Sequence, residues 1–255
     1  MKKFAICYLL IVIFLGACAK KDPILPGHRT PVFDSGEIVA ENRVIPEGLI
    51  KMPETKTAES EIKFEQDSYN VIWQVDADGT RKKIFSGLPT ISRVDVKRTP
   101  VFANGFVYSG LSTGEVVKVN IRTREPVWVA DVYKQTMLTG GATILDIVAP
   151  VIVADGAVFA GGLGDAFCKI NDKNGKIIWC KEIGTGVPFL IAGAVAFIVG
   201  TDNYLYAIDT KNGDIFWRVK TKAGCTPKIS ETDSGEFRIT VGVETFAADS
   251  GKLVK

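Results

Sequence analysis

Apolar and polar residues alternate along most of this chain at a period close to two, in short runs broken by Gly, Asn and Asp. The 3.6 spacing of an amphipathic helix does not appear. Between Pro150 and Trp179 the pattern resolves into four pieces. Val151 to Ala154 is a β-branched run, Asp155-Gly156 is a two-residue hairpin signal, and Ala157 to Gly161 is a second run. Ala166 to Ile170 and Lys176 to Lys181 follow, separated by the turn Asn171-Asp172-Lys173-Asn174-Gly175. The pattern predicts four short antiparallel strands.

The unit recurs. Pro188 to Trp217 and Pro100 to Trp128 repeat it, and a weaker copy opens at Pro227; the Pro-to-Trp intervals are 29, 29 and 28 residues for the copies at Pro188, Pro150 and Pro100. Asn104-Gly105 stands at the first turn, and Asp209 to Gly213 and Asp249-Ser250-Gly251 at the last. A lone four-stranded sheet exposes both faces and both edges, so such units are stable only when stacked. A Trp follows the turn glycine by four residues at Gly175/Trp179 and Gly213/Trp217. Trp128, Trp179 and Trp217 are therefore predicted to fill the gap between one blade and the next near the outer strand. Strand run, turn glycine and trailing Trp together resemble the pyrroloquinoline-quinone-like propeller repeat from about Val101 onward. The resemblance implies an all-β, β-propeller fold, one shared by enzymes and scaffolds alike.

The first residues read differently. Lys2 and Lys3 precede an apolar run from Phe4 to Leu15, the length of a signal-peptide core and short for a membrane span. Leu15-Gly16-Ala17-Cys18 resembles a lipobox, which implies cleavage before Cys18 and acylation of its thiol. No Asp follows Cys18, so the lipoprotein rule implies the periplasmic face of the outer membrane. Acyl chains would hold it there at about 0.8 kcal/mol per buried methylene. Residues 18–67 hold five of the eleven prolines and no strand rhythm, and are expected to be a tether. Asp22-Pro23-Ile24-Leu25-Pro26-Gly27-His28-Arg29 resembles the opening of the mature chain in the outer-membrane assembly lipoprotein family, BamB. Ser68 to Asp76 is again strand-like, and Tyr69 to Val75 is expected to act as a strand closing the last blade. The domain reading is thus leader 1–17, tether 18–67 and partial propeller 68–255.

Charge adds little. Of 31 basic residues Lys2 and Lys3 leave with the leader, so 29 face 29 acidic ones, which argues against nucleic acid as a partner.

Candidate chemistry is sparse. His28 is the single histidine, and in a proline-rich tether it is expected to be solvated. Quinoproteins on this repeat bind their quinone with calcium, and many place adjacent cysteines under it; Cys168, Cys180 and Cys225 are never adjacent. Cys168 and Cys180 flank one hairpin, as a disulfide or as two buried thiols. Asp76-Ala77-Asp78-Gly79 begins like a calcium loop, but Gly87 stands where the twelfth-position acid belongs, so a hairpin turn is expected. Gly161-Gly162-Leu163-Gly164 lacks the Lys-Ser/Thr of a phosphate loop and is expected to be a turn between strands. No catalytic, cofactor or metal residues are assigned.

Between Trp128 and Pro150 lies a longer connection, a candidate interaction loop, with Asp146 offered as a partner contact. Four residues past Gly251, where earlier copies have Trp, stands Lys255, so the resemblance implies about four of the family's eight blades. A small closed ring, an open arc and two chains pairing their edges are all compatible with that. The resemblance implies a non-enzymatic scaffold that docks on the periplasmic repeat domains of the barrel-inserting protein. A periplasmic quinone-dependent dehydrogenase, or a non-functional remnant of either, is the competing reading.

Overall fold

In a computed structural model of the protein, residues 42–53, 62–134, 144–222 and 224–254 are described, all within the compact unit Ile38–Lys255. Eighteen strands make five antiparallel sheets among these residues. The first sheet holds β1 (Lys63–Gln66), β2 (Val71–Val75) and β3 (Arg81–Ser86). The second holds β4 (Val101–Ala103), β5 (Phe106–Gly110), β6 (Glu115–Asn120) and β7 (Glu125–Asp131). The third holds β8 (Ile152–Ala154), β9 (Ala157–Gly162), β10 (Ala166–Asn171) and β11 (Ile177–Lys181). The fourth holds β12 (Leu190–Ala192), β13 (Val195–Val199), β14 (Tyr204–Asp209) and β15 (Ile215–Lys220). The fifth holds β16 (Lys228–Glu231), β17 (Phe237–Val241) and β18 (Glu244–Ala247), with Leu253 bridging back to Phe246 where a fourth strand would begin.

The all-β propeller-type architecture matches the sequence pattern. Each strand is short because Gly, Asn and Asp interrupt it, and alternation sends successive side chains to opposite faces. Both faces of the middle sheets are apolar: Val158, Ala160 and Ile170 face the second sheet's Val116 and Trp128, while Phe159 and Phe167 face the fourth sheet's Ile198 and Tyr206. Among the described residues four core clusters lie between consecutive sheets, and none joins the first sheet to the fifth.

Two expectations are corrected. Tyr69 to Val75 does not close the last blade. Its strand β2 is the middle of the first sheet, because Asp76 to Gly79 turns it back onto β3 and Ile72 is buried against Val107 and Val117. Strand structure also begins at Lys63, inside the expected tether. Upstream, residues 43–49 form a strap on the fourth and fifth sheets. Arg43 N–H donates to Phe216 O (2.9 Å), Ile45 N–H to Asp249 O (2.8 Å), and Leu49 O accepts from Ala194 N–H (2.8 Å). Ile45 and Ile50 enter the core beside Phe216 and Phe237.

Of the remaining motifs, Asp76 to Gly79 folds as a turn, with Gly79 N–H donating to Asp76 O. Gly161 and Gly162, by contrast, are the last residues of β9, paired with Phe167 and Ala166, and of that motif only Leu163 and Gly164 lie in the turn to β10.

Candidate functional site

The recurring side chains meet at the boundaries between sheets. Trp128, Trp179 and Trp217 occupy β7, β11 and β15, and in each case the preceding residue (Val127, Ile178, Phe216) is an extra one in the ladder, so that the pairing shifts beside the indole. A β-bulge twists the strand and re-aims its neighbour. Each indole packs against the turn glycine of the next sheet. A Cβ on Gly175, Gly213 or Gly251 would stand 2.8, 2.9 or 2.7 Å from Trp128, Trp179 or Trp217, and all three glycines have positive φ. Each Nε1 donates to a carbonyl in that turn: Trp128 to Asp172 (2.8 Å), Trp179 to Thr210 (3.3 Å) and Trp217 to Ala248 (3.2 Å).

Lysines complete two of these junctions, a role that sequence reasoning missed. Lys118 pairs with Trp128 across the ladder and Lys169 with Trp179. Lys118 Nζ donates to the same Asp172 carbonyl (2.9 Å), and Lys169 Nζ to the same Thr210 carbonyl (2.8 Å). Ala207 holds this position opposite Trp217. The available signal was a Lys ten residues before the Trp in two copies. At the first junction the Asp172 carboxylate also accepts from Lys118 (2.8 Å) and the Tyr108 hydroxyl (2.7 Å). Burial works against its charge, yet these two bonds outweigh burial and hold the carboxyl below its ordinary range. Burial and the neighbouring Asp172 push the Tyr108 hydroxyl well up, so it stays a donor.

A second constellation joins two connections. Asp146, offered as a partner contact, is fully buried: it pairs with Arg98 (2.5 Å) and accepts from Val94 N–H. Burial pushes its carboxyl above the usual range, against the pull of Val94 and Arg98. Nε and Nη1 of Arg98 have no hydrogen-bond partner among the described residues. Backbone packs tightly here, since a Cβ on Gly162 would stand 2.6 Å from Asp146 O. The pair thereby pins the connection between β3 and β4, which displays Leu88 (74% exposed) and Ile91 (100%) beside Arg93, itself stacked over Tyr69 at 4.7 Å. This exposed apolar group on a pinned connection is the candidate docking surface.

Cys168 and Cys180 are directly opposed on β10 and β11 and form a disulfide, not two buried thiols. Cys225 is free and exposed. Among the described residues no three His, Cys, Asp or Glu are grouped to hold a metal ion, and no helix is long and apolar enough to cross a membrane. Cys18, His28, Gly140-Gly141 and Lys255 lie outside the described residues.

The sequence profile of the family described as "Outer membrane protein assembly factor BamB" matches residues 29–219. No curated protein matches the sequence. Among solved structures, BamB from Moraxella catarrhalis superposes with a TM-score of 0.61 at 14% identity, covering 77% of this chain and 60% of that one. The chain thus spans about 60% of that protein's length. Quinohemoprotein alcohol dehydrogenase ADHIIG from Pseudomonas putida HK5 gives 0.59 at 14% identity over 76% of this chain and 40% of that one. A europium-containing methanol dehydrogenase gives 0.56 at 11% identity over 77% and 49%. At these identities the structural matches speak for the fold alone.

Proposed function

Because the chain belongs to the outer membrane protein assembly factor BamB family, we propose that it is a non-enzymatic scaffold lipoprotein of the outer-membrane β-barrel assembly machinery, anchored through Cys18 to the periplasmic face of the outer membrane. Its partner is the barrel-inserting protein, engaged through that protein's periplasmic repeat domains. The family match over 29–219 carries this reading. A rigid stack of sheets supports it physically. A connection fixed by a buried ion pair presents Leu88 and Ile91 at little ordering cost, and preorganised apolar side chains make effective docking points.

The experiment is capture of envelope proteins on the tagged, membrane-inserted chain. Recovery of the barrel-inserting protein, lost when Leu88 and Ile91 are replaced by Glu, is expected; its absence sinks the scaffold reading. Metabolic labelling with a palmitate analogue should mark the wild type and spare Cys18→Ser. Addition of pyrroloquinoline quinone and calcium should give neither a quinone absorbance nor dye reduction, and either signal would favour the dehydrogenase reading.

A further inference from the structure

The strap reveals how one edge of this repeat is covered, and a second edge offers the same chemistry with no strand paired to it among the described residues. On β15 the bulged residue Phe216 receives Arg43 N–H at its carbonyl, and the Arg43 guanidinium reaches Asp214, three residues before Trp217 (3.9 Å). Two residues on, Ile45 N–H donates to Asp249 O in the next sheet's turn. The chain then crosses to the fourth sheet's first turn, where Leu49 O accepts from Ala194.

Each of these features has a counterpart on the second sheet. Val127 is the bulged residue of β7, and Glu125 stands three residues before Trp128, matching Asp214. Lys173 takes the place of Asp249, one residue past the carbonyl that the indole holds. At the first turn, where the fourth sheet holds the strap, the second sheet has a hollow of about 440 Å³ lined by Gly105, Phe106 and Arg122. Val127 and Val129 are each 46% exposed, whereas Phe216 under the strap is 97% buried by the same measure. Just before β11 the residue at the acidic position is Lys176, which would repel a basic strap.

We propose that the free edge of β7 is a second docking site, independent of the assembly reading, for an extended segment of a partner protein carrying a basic residue two positions before an aliphatic one. The segment's backbone N–H groups bond the carbonyls of Val127 and Lys173, its cation pairs with Glu125, and its aliphatic side chain covers Val127. Val127 has no ring for the cation to stack on, so the ion pair and the backbone bonds carry selectivity.

The test uses the full chain and, as probe, a fluorescent synthetic peptide of this chain's own residues 42–50, Asn-Arg-Val-Ile-Pro-Glu-Gly-Leu-Ile. The strap's own site is held in cis at high effective concentration, so the added peptide is directed to β7. Saturable binding is expected, with slowed amide exchange over 127–129. Glu125→Lys should weaken it about tenfold or more without changing the melting temperature. A peptide with Arg43→Glu should then bind the Glu125→Lys protein better than the wild type. Absence of saturation, protection confined to 214–218, or binding indifferent to Glu125→Lys would overturn the proposal.

Discussion

Trp179 packs against Gly213 across the boundary between the third and fourth sheets, so closely that a methyl group on the glycine would lie 2.9 Å from Cδ2 of the indole and 2.8 Å from Lys181 Cε. The spacing of glycine and tryptophan in each repeat thus reflects a relation between repeats. The glycine of one sheet receives the indole of the sheet before it.

Gly213→Ala should therefore be destabilising twice over. The new Cβ overpacks the indole, at about 1–3 kcal/mol, and the position's φ of +79° disfavours any side chain. Thermal melting should show the loss. Trp fluorescence should shift as the indole is displaced, whereas Gly235→Ala, with equally positive φ but nothing within 4 Å, should lower stability without that shift.

Lys118 is expected to matter more than a surface lysine. It is 5% exposed and donates twice to Asp172. Lys118→Met should cost about 1.5–3 kcal/mol, the range for hydrogen bonds to charged groups, measured by urea unfolding. The pH dependence follows from Asp172. Its folded-state pKa lies below the ordinary 3.8, so the native protein holds that proton less tightly than the unfolded chain does. Its stabilisation is complete above the unfolded value and is lost as pH falls through the folded one. Asp172→Asn should flatten this acid limb, and a variant as acid-sensitive as wild type would refute the assignment.

Much of this architecture was legible because repetition amplifies weak signals. The strands expected at Ala157 to Gly161 and Ala166 to Ile170 form at Ala157–Gly162 and Ala166–Asn171, since hairpin glycines and alternating burial act locally. The strap was hidden. Arg43 meets Phe216 through one backbone hydrogen bond and a guanidinium–ring contact, neither of which leaves a trace in side-chain periodicity, and surrounding prolines disguise Ile45 and Ile50 as tether. Arg98 and Asp146 were equally opaque, because both lie in aperiodic connections 48 residues apart. The disulfide fell between: proximity of Cys168 and Cys180 could be read, but their direct opposition depends on register, which the bulge next to Lys169 sets.

Reducing that disulfide should lower stability by about 2–3 kcal/mol, the loop-closure value for a short span, here of 12 residues. Because Cys168 packs in the core shared with the second sheet, beside Tyr108 and Val116, the loss should be felt at that junction. Hydrogen exchange with and without dithiothreitol provides the check: faster exchange is expected over β10 and β11 and over β5 and β6, with no change over β17 and β18.

The ion pair beneath the exposed connection should behave asymmetrically. Arg98 and Asp146 are 3% and 0% exposed, so removing one partner strands the other in a low-dielectric interior. Arg98→Met alone should cost about 3–5 kcal/mol, as should Asp146→Leu alone, whereas the double variant should recover a large part of either loss because no charge is left buried. Urea titrations of the four proteins give the coupling. Strict additivity would mean that the two side chains do not act as a pair. Where the double variant folds, the connection bearing Leu88 and Ile91 should still be less protected in hydrogen exchange, because the bond from Val94 N–H to the Asp146 carboxylate is gone. Capture of the barrel-inserting protein should then weaken even though Leu88 and Ile91 are intact, which separates the positioning of that surface from its composition.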